Sequence, residues 1–337
     1  MQYQSPYEGS VANACSGNFA SGGVAPKTTR LRGQSIIEYV LIAAVIGLVV
    51  IFAGPQVSSA IRNQFNQVTN TVDSGTSGDS FMSAEEKAYR ETMKTVAQKE
   101  AKDWTLDEQK AAATDIAKNG TSSVVYAKAV AAMDARTKFS IKLTNGKTLE
   151  YRIIGINHDD LADGSGKAGL TFEATNDALG RQKMNATNAD TGGWEKSKLR
   201  GRLNTGDLWS LLPSELQSKV KDVTKITKMT DKKGAGGDVV PSATNDKVFL
   251  LSPTEVYGNL QFYGDLHLQP DGTQYEYYKS KGVTEKNYSG ASSGYDHWTR
   301  SVHPNGSTYF HLVYDNGNLY NIGHAKDNFY VFPAFCF

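Results

Sequence analysis

The sequence predicts an α+β protein in three parts: a long apolar N-terminal helix, a small helical segment, and a C-terminal mixed α/β domain with irregular loops. Three observations predict this fold class. Residues 36–53 are unbroken apolar sequence apart from one charged residue, Glu38. Between residues 83 and 137, apolar residues recur at helical spacing, and from Phe139 onward they alternate with polar residues as in half-buried strands.

The apolar run is long enough to span a membrane as a helix. Its residues would extend roughly 27 Å at the helical rise, close to the apolar thickness of a bilayer. A carboxylate inside such a span costs on the order of 3 kcal/mol, so Glu38 suggests a functional role. The basic residues Lys27, Arg30 and Arg32 precede the run and favour a cytoplasmic N-terminal side. Cleavage after Gly33 would leave the apolar helix attached to the mature chain.

The basic leader, Gly33, Glu38, Tyr39 and the apolar helix together resemble the Flp-type pilins of tight-adherence pili, a branch of type IV pilins. The resemblance implies a leader at residues 1–33 that a prepilin peptidase removes between Gly33 and Gln34. It also implies an assembly helix at residues 34–70. Glu38 and Tyr39 are then the assembly residues, and the Glu38 charge is expected to meet the new amino terminus of a neighbouring subunit.

The implied partners are the prepilin peptidase, other pilin subunits and the membrane during assembly. The implied location is the inner or cytoplasmic membrane for the precursor and then an extracellular pilus or the cell surface. Because family pilins are often tiny, the long extension favours a minor or tip pilin over the bulk shaft. An ordinary single-span anchor with an incidental glutamate is the alternative interpretation of the same residues.

Charge and cysteine content exclude several functions. The chain has 36 Lys and Arg against 35 Asp and Glu, so no basic excess supports nucleic-acid binding. Of the two cysteines, Cys15 lies in the predicted leader, so Cys336 would be alone in the mature chain and no internal disulfide is expected. Between Phe335 and Phe337, Cys336 is expected to be a small buried hydrophobe.

A Ser/Thr/Gly-rich linker is predicted at residues 71–82, followed by a helical segment at residues 83–137. Ser83 with Glu86 and Thr105 with Glu108 have the spacing of capping boxes and begin two helices, the second ending at residues 119–120. A third helix is predicted over residues 124–136. We expect the apolar stripes of these helices to pack against the next domain.

A β-rich domain is predicted over residues 138–337. The alternation from Phe139 to Leu143, then the Asn145-Gly146 turn, predicts a hairpin with residues 149–156. Residues 194–203 and 213–220 are predicted as short helices, and residues 248–251 as a short buried strand. Residues 232–237 form a Gly/Lys loop.

The last fifty residues are unusually rich in aromatic residues, with 12 between positions 288 and 337, and contain four of the six histidines. Tyr, Ser, Gly, Asn and His interleaved with apolar anchors is the composition of a binding surface, which combines rigid amphipathic contacts with adaptable hydrogen bonding. An irregular loop region with exposed polar residues is the alternative. Apolar anchors at Phe310, Val313, Leu319 and Ile322 and a turn at residues 315–318 favour ordered strands.

This C-terminal part resembles ligand-binding domains of the C-type-lectin-like fold related to formylglycine-generating enzyme, in particular the variable proteins of diversity-generating retroelements. The resemblance rests on YRIIGI at 151–156, SKLR at 197–200, FLLSPTEVYG at 249–258, WTRS at 298–301 and PAF at 333–335. The residues directly before the PAF motif, 330–332 (YVF), differ from those at the same place in relatives. The resemblance implies a diversified, ligand-binding tail directed at an extracellular protein or a glycan.

The predicted binding residues are the polar and aromatic positions of the tail: Tyr309, His311, Tyr314, Asn316, Asn318, Tyr320, Asn321, His324, Asn328 and Tyr330. Trp298, Phe310, Val313 and Phe335 are predicted to be the buried scaffold beneath them. The overall prediction is a minor Flp-type pilin that acts as an adhesin. A membrane-anchored enzyme of the formylglycine-generating class and a structural pilin without a ligand are the alternatives.

No catalytic residue, metal or cofactor is predicted. Formylglycine-type oxidation uses cysteines to hold copper, and the mature chain would have one cysteine. Residues 269–271 (QPD) match a short calcium-dependent sugar motif, but Pro-Asp-Gly is also an ordinary turn. The four tail histidines lack the close spacing of a metal-ligand pair. Residues 158–160 (HDD) could bind a cation, although a solvated loop explains them more simply.

Overall fold

A computed structural model of the chain describes residues 82–230, 239–258, 260, 271–303, 308–319 and 321–337. The predicted leader 1–33, the assembly helix 34–70, nearly all of the linker 71–82 and the Gly/Lys loop 232–237 lie outside these residues. Across the described ranges, no helix combines the length and apolar character needed to cross a membrane. The described fold therefore comprises the helical segment and the C-terminal domain.

Three helices form the segment before the sheets. They are α1 (Ala84–Gln98), α2 (Leu106–Asn119) and α3 (Tyr126–Asp134). The predicted caps are present: the Ser83 hydroxyl accepts from the Glu86 N–H at 3.0 Å, and Thr105 with Glu108 forms a complete capping box. Helix α3 is shorter than predicted, because a turn at Gly120–Ser122 precedes it and Arg136 adopts a positive φ of 57° just after it.

The helical segment packs directly on the C-terminal domain. A Cβ on Gly169 would lie 1.8 Å from the Ala113 carbonyl oxygen, so α2 can approach this closely only because residue 169 is glycine. The Tyr151 hydroxyl donates to the Gln109 side-chain oxygen at 3.0 Å, and the Asn157 amide donates to a carbonyl of α2 at 3.1 Å. The stripe residues Met93, Val96, Ala112 and Ile116 are buried in one hydrophobic core with strand residues, which confirms their predicted packing role.

Twelve strands are described: β1 (Phe139–Lys142), β2 (Thr148–Ile156), β3 (Leu170–Ala174), β4 (Arg181–Gln182), β5 (Val223–Thr230), β6 (Val239–Asp246), β7 (Val248–Phe249), β8 (His297–Val302), β9 (Tyr309–Val313), β10 (Asn321–His324), β11 (Phe329–Tyr330) and β12 (Ala334–Cys336). They form two five-stranded sheets, ordered β1-β2-β3-β12-β7 and β10-β9-β8-β11-β4, and a two-stranded ribbon, β5-β6. The described residues therefore form a mixed α/β fold, which confirms that part of the predicted fold class.

The first sheet brings distant segments together. The predicted hairpin joins β1 to β2, and β12 lies antiparallel between β3 and β7. Phe172 and Phe335 pair across β3 and β12 with their ring centroids 5.5 Å apart. Cys336, next to Phe335, is fully buried and is a free thiol, as predicted.

Six short helices connect the strands: α4 (Gly193–Lys196), α5 (Lys198–Asn204), α6 (Asp207–Leu211), α7 (Ser214–Gln217), α8 (Pro253–Tyr257) and α9 (Glu276–Ser280). The single helix predicted over residues 194–203 is broken at Ser197, whose hydroxyl accepts from the Arg200 N–H at 3.1 Å and caps α5. Strand β7 ends earlier than predicted. The carbonyls of Leu250 and Leu251 accept hydrogen bonds from Arg300 instead of continuing the sheet.

Candidate functional site

The second sheet is built largely from the aromatic-rich tail. Strands β9 and β10 are antiparallel, and their register places Tyr309 opposite His324 with the two ring centroids 4.3 Å apart. The next pair along the same strands, Phe310 opposite Gly323, points to the other face. Alternation therefore divides the tail into a face with the predicted binding residues Tyr309 and His324 and a face that packs inward.

The predicted scaffold residues Trp298, Phe310, Val313 and Phe335 are all buried, which confirms the prediction of their burial. Trp298 and Phe310 lie on the inward face, Val313 lies on the face of Tyr309, and Phe335 belongs to the first sheet. The Trp298 indole donates to the Gln182 carbonyl at 2.8 Å and packs edge-on against Phe329, with centroids 4.9 Å apart. A Cβ on Gly323 would lie within 3 Å of the Trp298 ring, so the glycine lets the indole fill this space.

The predicted binding residues have different environments in the structure. Asn316 and Asn328 are exposed, while Tyr309, Tyr314, Asn318, His324 and Tyr330 are half-buried. His311 is a correction, because it is only 1 % exposed and belongs to the core. Asn321 is described only as a residue of β10, and Tyr320 lies outside the described residues.

The turn at residues 315–318 is held by one of its own side chains and by Tyr257 of α8. The Asn318 N–H donates to the Asn316 side-chain oxygen at 2.9 Å, and the buried Tyr257 hydroxyl donates to the Gly317 carbonyl at 2.6 Å. Asn316 thus shapes the turn as well as facing solvent. A contact surface here would be held rigidly in place.

A second aromatic group joins the predicted binding residue Tyr330 to two residues that the sequence did not assign to the site. Tyr330 pairs with Arg181 of β4, and the Arg181 guanidinium lies 4.7 Å from the Tyr330 ring centroid. Tyr295 also packs against Tyr330, with ring centroids 4.6 Å apart. The tail composition drew attention to the tyrosines, but only strand pairing reveals that Arg181 joins them.

The HDD segment at residues 158–160 is not the solvated loop that we expected. Asp159 is 4 % exposed and receives the Lys225 ammonium at 2.7 Å and the Thr171 hydroxyl at 2.6 Å. Burial alone would raise the pKa of Asp159, but the Lys225 charge holds it well below its usual range. His158 turns to Glu276 instead, at 3.1 Å.

A second buried ion pair adjoins the first. Arg300 on β8 makes a bidentate contact with Glu255 on α8 and also donates to the Asp271 carbonyl at 2.6 Å. The Asp271 carboxylate accepts from the Ser301 hydroxyl at 2.7 Å. Of the QPD segment at residues 269–271, only Asp271 is described. Among the described residues, no group of His, Cys, Asp and Glu is arranged to hold a metal ion.

A cationic recess of about 320 Å³ lies between α2, the 161–169 segment and Phe337. Its described lining includes Lys110, Lys118, Lys167 and Lys221 and no acidic residue. Burial, with help from the charges of Lys221 and Lys219, lowers the pKa of Lys110 to about 8. An anionic group would be stabilised there because it would relieve this repulsion. Sequence reasoning missed the recess, since its lysines come from three separate segments.

Comparison with protein families covers both ends of the chain. Residues 167–337, just over half of the 337, match the family described as domain of unknown function (DUF6273). The chain belongs to the DUF6273 family. Residues 32–72 match the Flp/Fap pilin component. Neither the curated proteins nor the solved structures contain a match to the chain.

The Flp/Fap match supports the predicted Flp-type pilin N-terminus and indicates a pilus-related protein at a pilus or the cell surface. The DUF6273 match spans the tail and the Arg300–Glu255 pair, and it includes Lys225 but not Asp159. The family description names no ligand for the domain. Lectin-like ligand binding and retroelement diversification are therefore proposals.

Acid should destabilise this DUF6273 domain through its buried histidines. Burial lowers the pKa of His297 to about 4 and of His311 to about 3. An unfolded histidine has a pKa near 6.5, so below that pH the unfolded chain binds protons that the folded chain does not. We expect the unfolding free energy to fall by roughly 1.4 kcal/mol per pH unit for each of these two groups between pH 6.5 and 4.5.

His158 does not cancel this effect. Burial lowers its pKa, but Glu276 and Asp159 more than offset that, so its pKa is raised and its contribution is already complete below pH 6.5. Urea unfolding at several pH values, with His311→Gln as the comparison, measures the trend. Equal slopes for the two proteins, or a constant unfolding free energy, would contradict it.

Proposed function

We propose that this chain is a minor or tip Flp-type pilin that displays its DUF6273 domain as a ligand-binding adhesin on a pilus or the cell surface. The Flp/Fap match at residues 32–72 supports the pilin part. Within it, Gly33 and Gln34 form the processing site, where a prepilin peptidase cuts. Glu38 and Tyr39 act in assembly, because a carboxylate left unpaired in an apolar filament core would be costly.

The observation that carries the adhesin proposal is that several aromatic side chains of the tail strands stay partly exposed over a buried scaffold. Tyr309, His324 and Tyr330 retain partial exposure while Trp298 and Phe310 beneath them are buried. Rigid aromatic side chains lose little conformational entropy on binding, so they give contact area at low cost. The ligand is an extracellular protein or a glycan.

The resemblance to lectin-like variable proteins deepens this proposal. Exposed Asn, Tyr and His positions on a fixed scaffold are those that retroelement diversification would produce. A nearby reverse-transcriptase gene with an imperfect template repeat of the last fifty codons would support it. Invariance of these codons across closely related strains would contradict it.

The adhesin proposal predicts that the double replacement Tyr309→Ala and Tyr330→Ala abolishes binding to the ligand or host cell. The melting temperature should change little, because both side chains are partly exposed and their removal leaves no closed cavity. Tyr126→Ala, at a half-buried tyrosine of α3, is the matched control and should bind normally.

Binding is measured with the full chain displayed on cells, together with glycan and host-protein panels. The mature N-terminus is identified in the same preparation by mass spectrometry and should be Gln34. Unchanged binding by the double variant would contradict the adhesin assignment. A mature chain that starts elsewhere would contradict the pilin assignment.

A further inference from the structure

Lys225 is the one lysine that is fully buried in the part of the chain that the structure describes. It lies on β5, and its Nζ is 2.7 Å from Asp159 Oδ1 and 2.5 Å from Glu255 Oε1. Both carboxylates are also buried. A primary amine is therefore held against two carboxyl groups away from water.

The other buried ion pairs of the domain are made differently. Glu173 pairs with Arg152 at 3.0 Å, and Asp246 pairs with Arg200. A guanidinium stays protonated and suits a permanent ion pair, whereas a lysine amine can lose its proton and act as a nucleophile. The choice of lysine at residue 225 thus allows chemistry that arginine would not.

We propose that Lys225 and Asp159 react to form an intramolecular amide crosslink, with Glu255 carrying the proton. The Lys225 amine attacks Asp159 Cγ, a new N–Cγ bond forms, and the Cγ–Oδ1 bond breaks. The ammonium and the carboxylate become one amide and one water molecule. No atom changes its oxidation state, and no other reactant is needed.

The protons can follow the contacts that are present. One proton passes from the Lys225 ammonium to Asp159 within the ion pair, which leaves a neutral amine and a neutral acid. After attack, Glu255 accepts a proton from the nitrogen and delivers it to the departing Oδ1 as water. Arg300 holds Glu255 in place with a bidentate contact and keeps its carboxylate ionised, as this base requires.

The other oxygen of Asp159 has the donors that a tetrahedral intermediate would need. The Thr171 hydroxyl donates to Oδ2 at 2.6 Å, and the Tyr275 hydroxyl lies between the two oxygens, 2.9 Å from Oδ1 and 3.0 Å from Oδ2. Donors that are fixed before the reaction stabilise the developing negative charge without further reorganisation. Thr171 therefore holds Oδ2 of Asp159, while Oδ1 lies beside the Lys225 amine.

Aromatic rings enclose the Lys225 side of the pair. Lys225 Nζ lies 4.4 Å from the Phe249 ring centroid and 5.5 Å from that of Tyr275. The rings keep water from the amine, but their π faces also stabilise its ammonium form and so oppose proton transfer to Asp159. Charge pairing still holds the pKa of Asp159 low and that of Lys225 high, so this transfer would be the slow step.

Intact mass spectrometry of the purified, folded full chain tests the proposal. The wild-type mass should be lower than the sequence mass by one water molecule, after allowance for N-terminal processing. A digest should contain a branched peptide that joins the segments carrying Asp159 and Lys225. A folded wild-type chain at its full sequence mass, with both residues in separate linear peptides, would overturn the proposal.

Three variants test the roles proposed for Lys225, Glu255 and Thr171. Lys225→Met should show its full sequence mass, and Glu255→Gln should fold with the crosslink largely absent. If Glu255→Gln does not fold, Thr171→Val serves in its place, because it keeps both ion pairs and removes one Oδ2 donor. Its crosslink should form at least tenfold more slowly after refolding, and a wild-type rate would contradict the role given to Oδ2.

Discussion

Replacing Arg300 with alanine is expected to lower the unfolding free energy by about 3 to 5 kcal/mol, the usual cost of removing one partner from a buried ion pair. Arg300 is fully buried, and its guanidinium contacts Glu255 and the carbonyls of Leu250, Ile226 and Asp271. The alanine variant removes this donor from three carbonyls in a region closed to water and leaves Lys225 as the one cation paired with Glu255 among the described contacts. A loss of this size is a large part of a typical domain's stability.

Arg202→Ala is the matched control. Arg202 also makes a bidentate contact, to Asp207 at 2.8 and 2.7 Å, but this pair lies at the surface. Water and salt screen such a pair, so its loss should cost at most about 1 kcal/mol. Urea unfolding of the three proteins measures both effects. Similar losses for the two variants would show that burial does not set the strength of the Arg300 contacts.

The second large effect is expected for Trp298→Ala, which should cost about 3 to 5 kcal/mol through the cavity it creates. Trp298 contacts Phe310 and Phe329, and its indole nitrogen bonds to the Gln182 carbonyl. Loss of the ring removes the support under the strands that present Tyr309 and His324. Binding should therefore fall together with stability.

Trp209→Ala serves as the comparison, since Trp209 is only half-buried and carries Lys247 over its ring at 5.3 Å. It should cost less than half as much, because solvent already reaches the space that the ring would vacate. Thermal melts and urea unfolding give the two values. A Trp298→Ala protein as stable as Trp209→Ala would mean that Trp298 does not hold the sheet together.

Local chemistry was sufficient to predict the helices and the first hairpin. The side chains of Ser83 and Thr105 cap their helices by accepting a hydrogen bond from the backbone N–H three residues later. The turn at Asn145-Gly146 joins adjacent strands. Each of these features depends on residues close together in the chain, so sequence spacing is enough to identify it. The split at Ser197 was missed because either a continuous or a broken helix fits the same apolar spacing.

Strand alternation also predicted the scaffold of the tail but misplaced His311. On β9, residues 309 and 311 point to the same face, yet Tyr309 is half-buried and His311 is almost completely buried. Alternation identifies the face of a sheet to which a side chain points. It does not reveal whether another element covers part of that face.

The sequence alone determined the pilin-like N-terminus, the first three described helices, the first hairpin and the buried tail residues Trp298 and Phe310, because these are set by short-range spacing and composition. Only the tertiary structure brought Asp159, Lys225 and Glu255 together. The three residues lie in a loop, a strand and a helix that are distant in sequence. A charged residue in an isolated sequence is expected to be solvated. Its burial depends on a partner supplied by another part of the fold, since the ion pair offsets the loss of hydration.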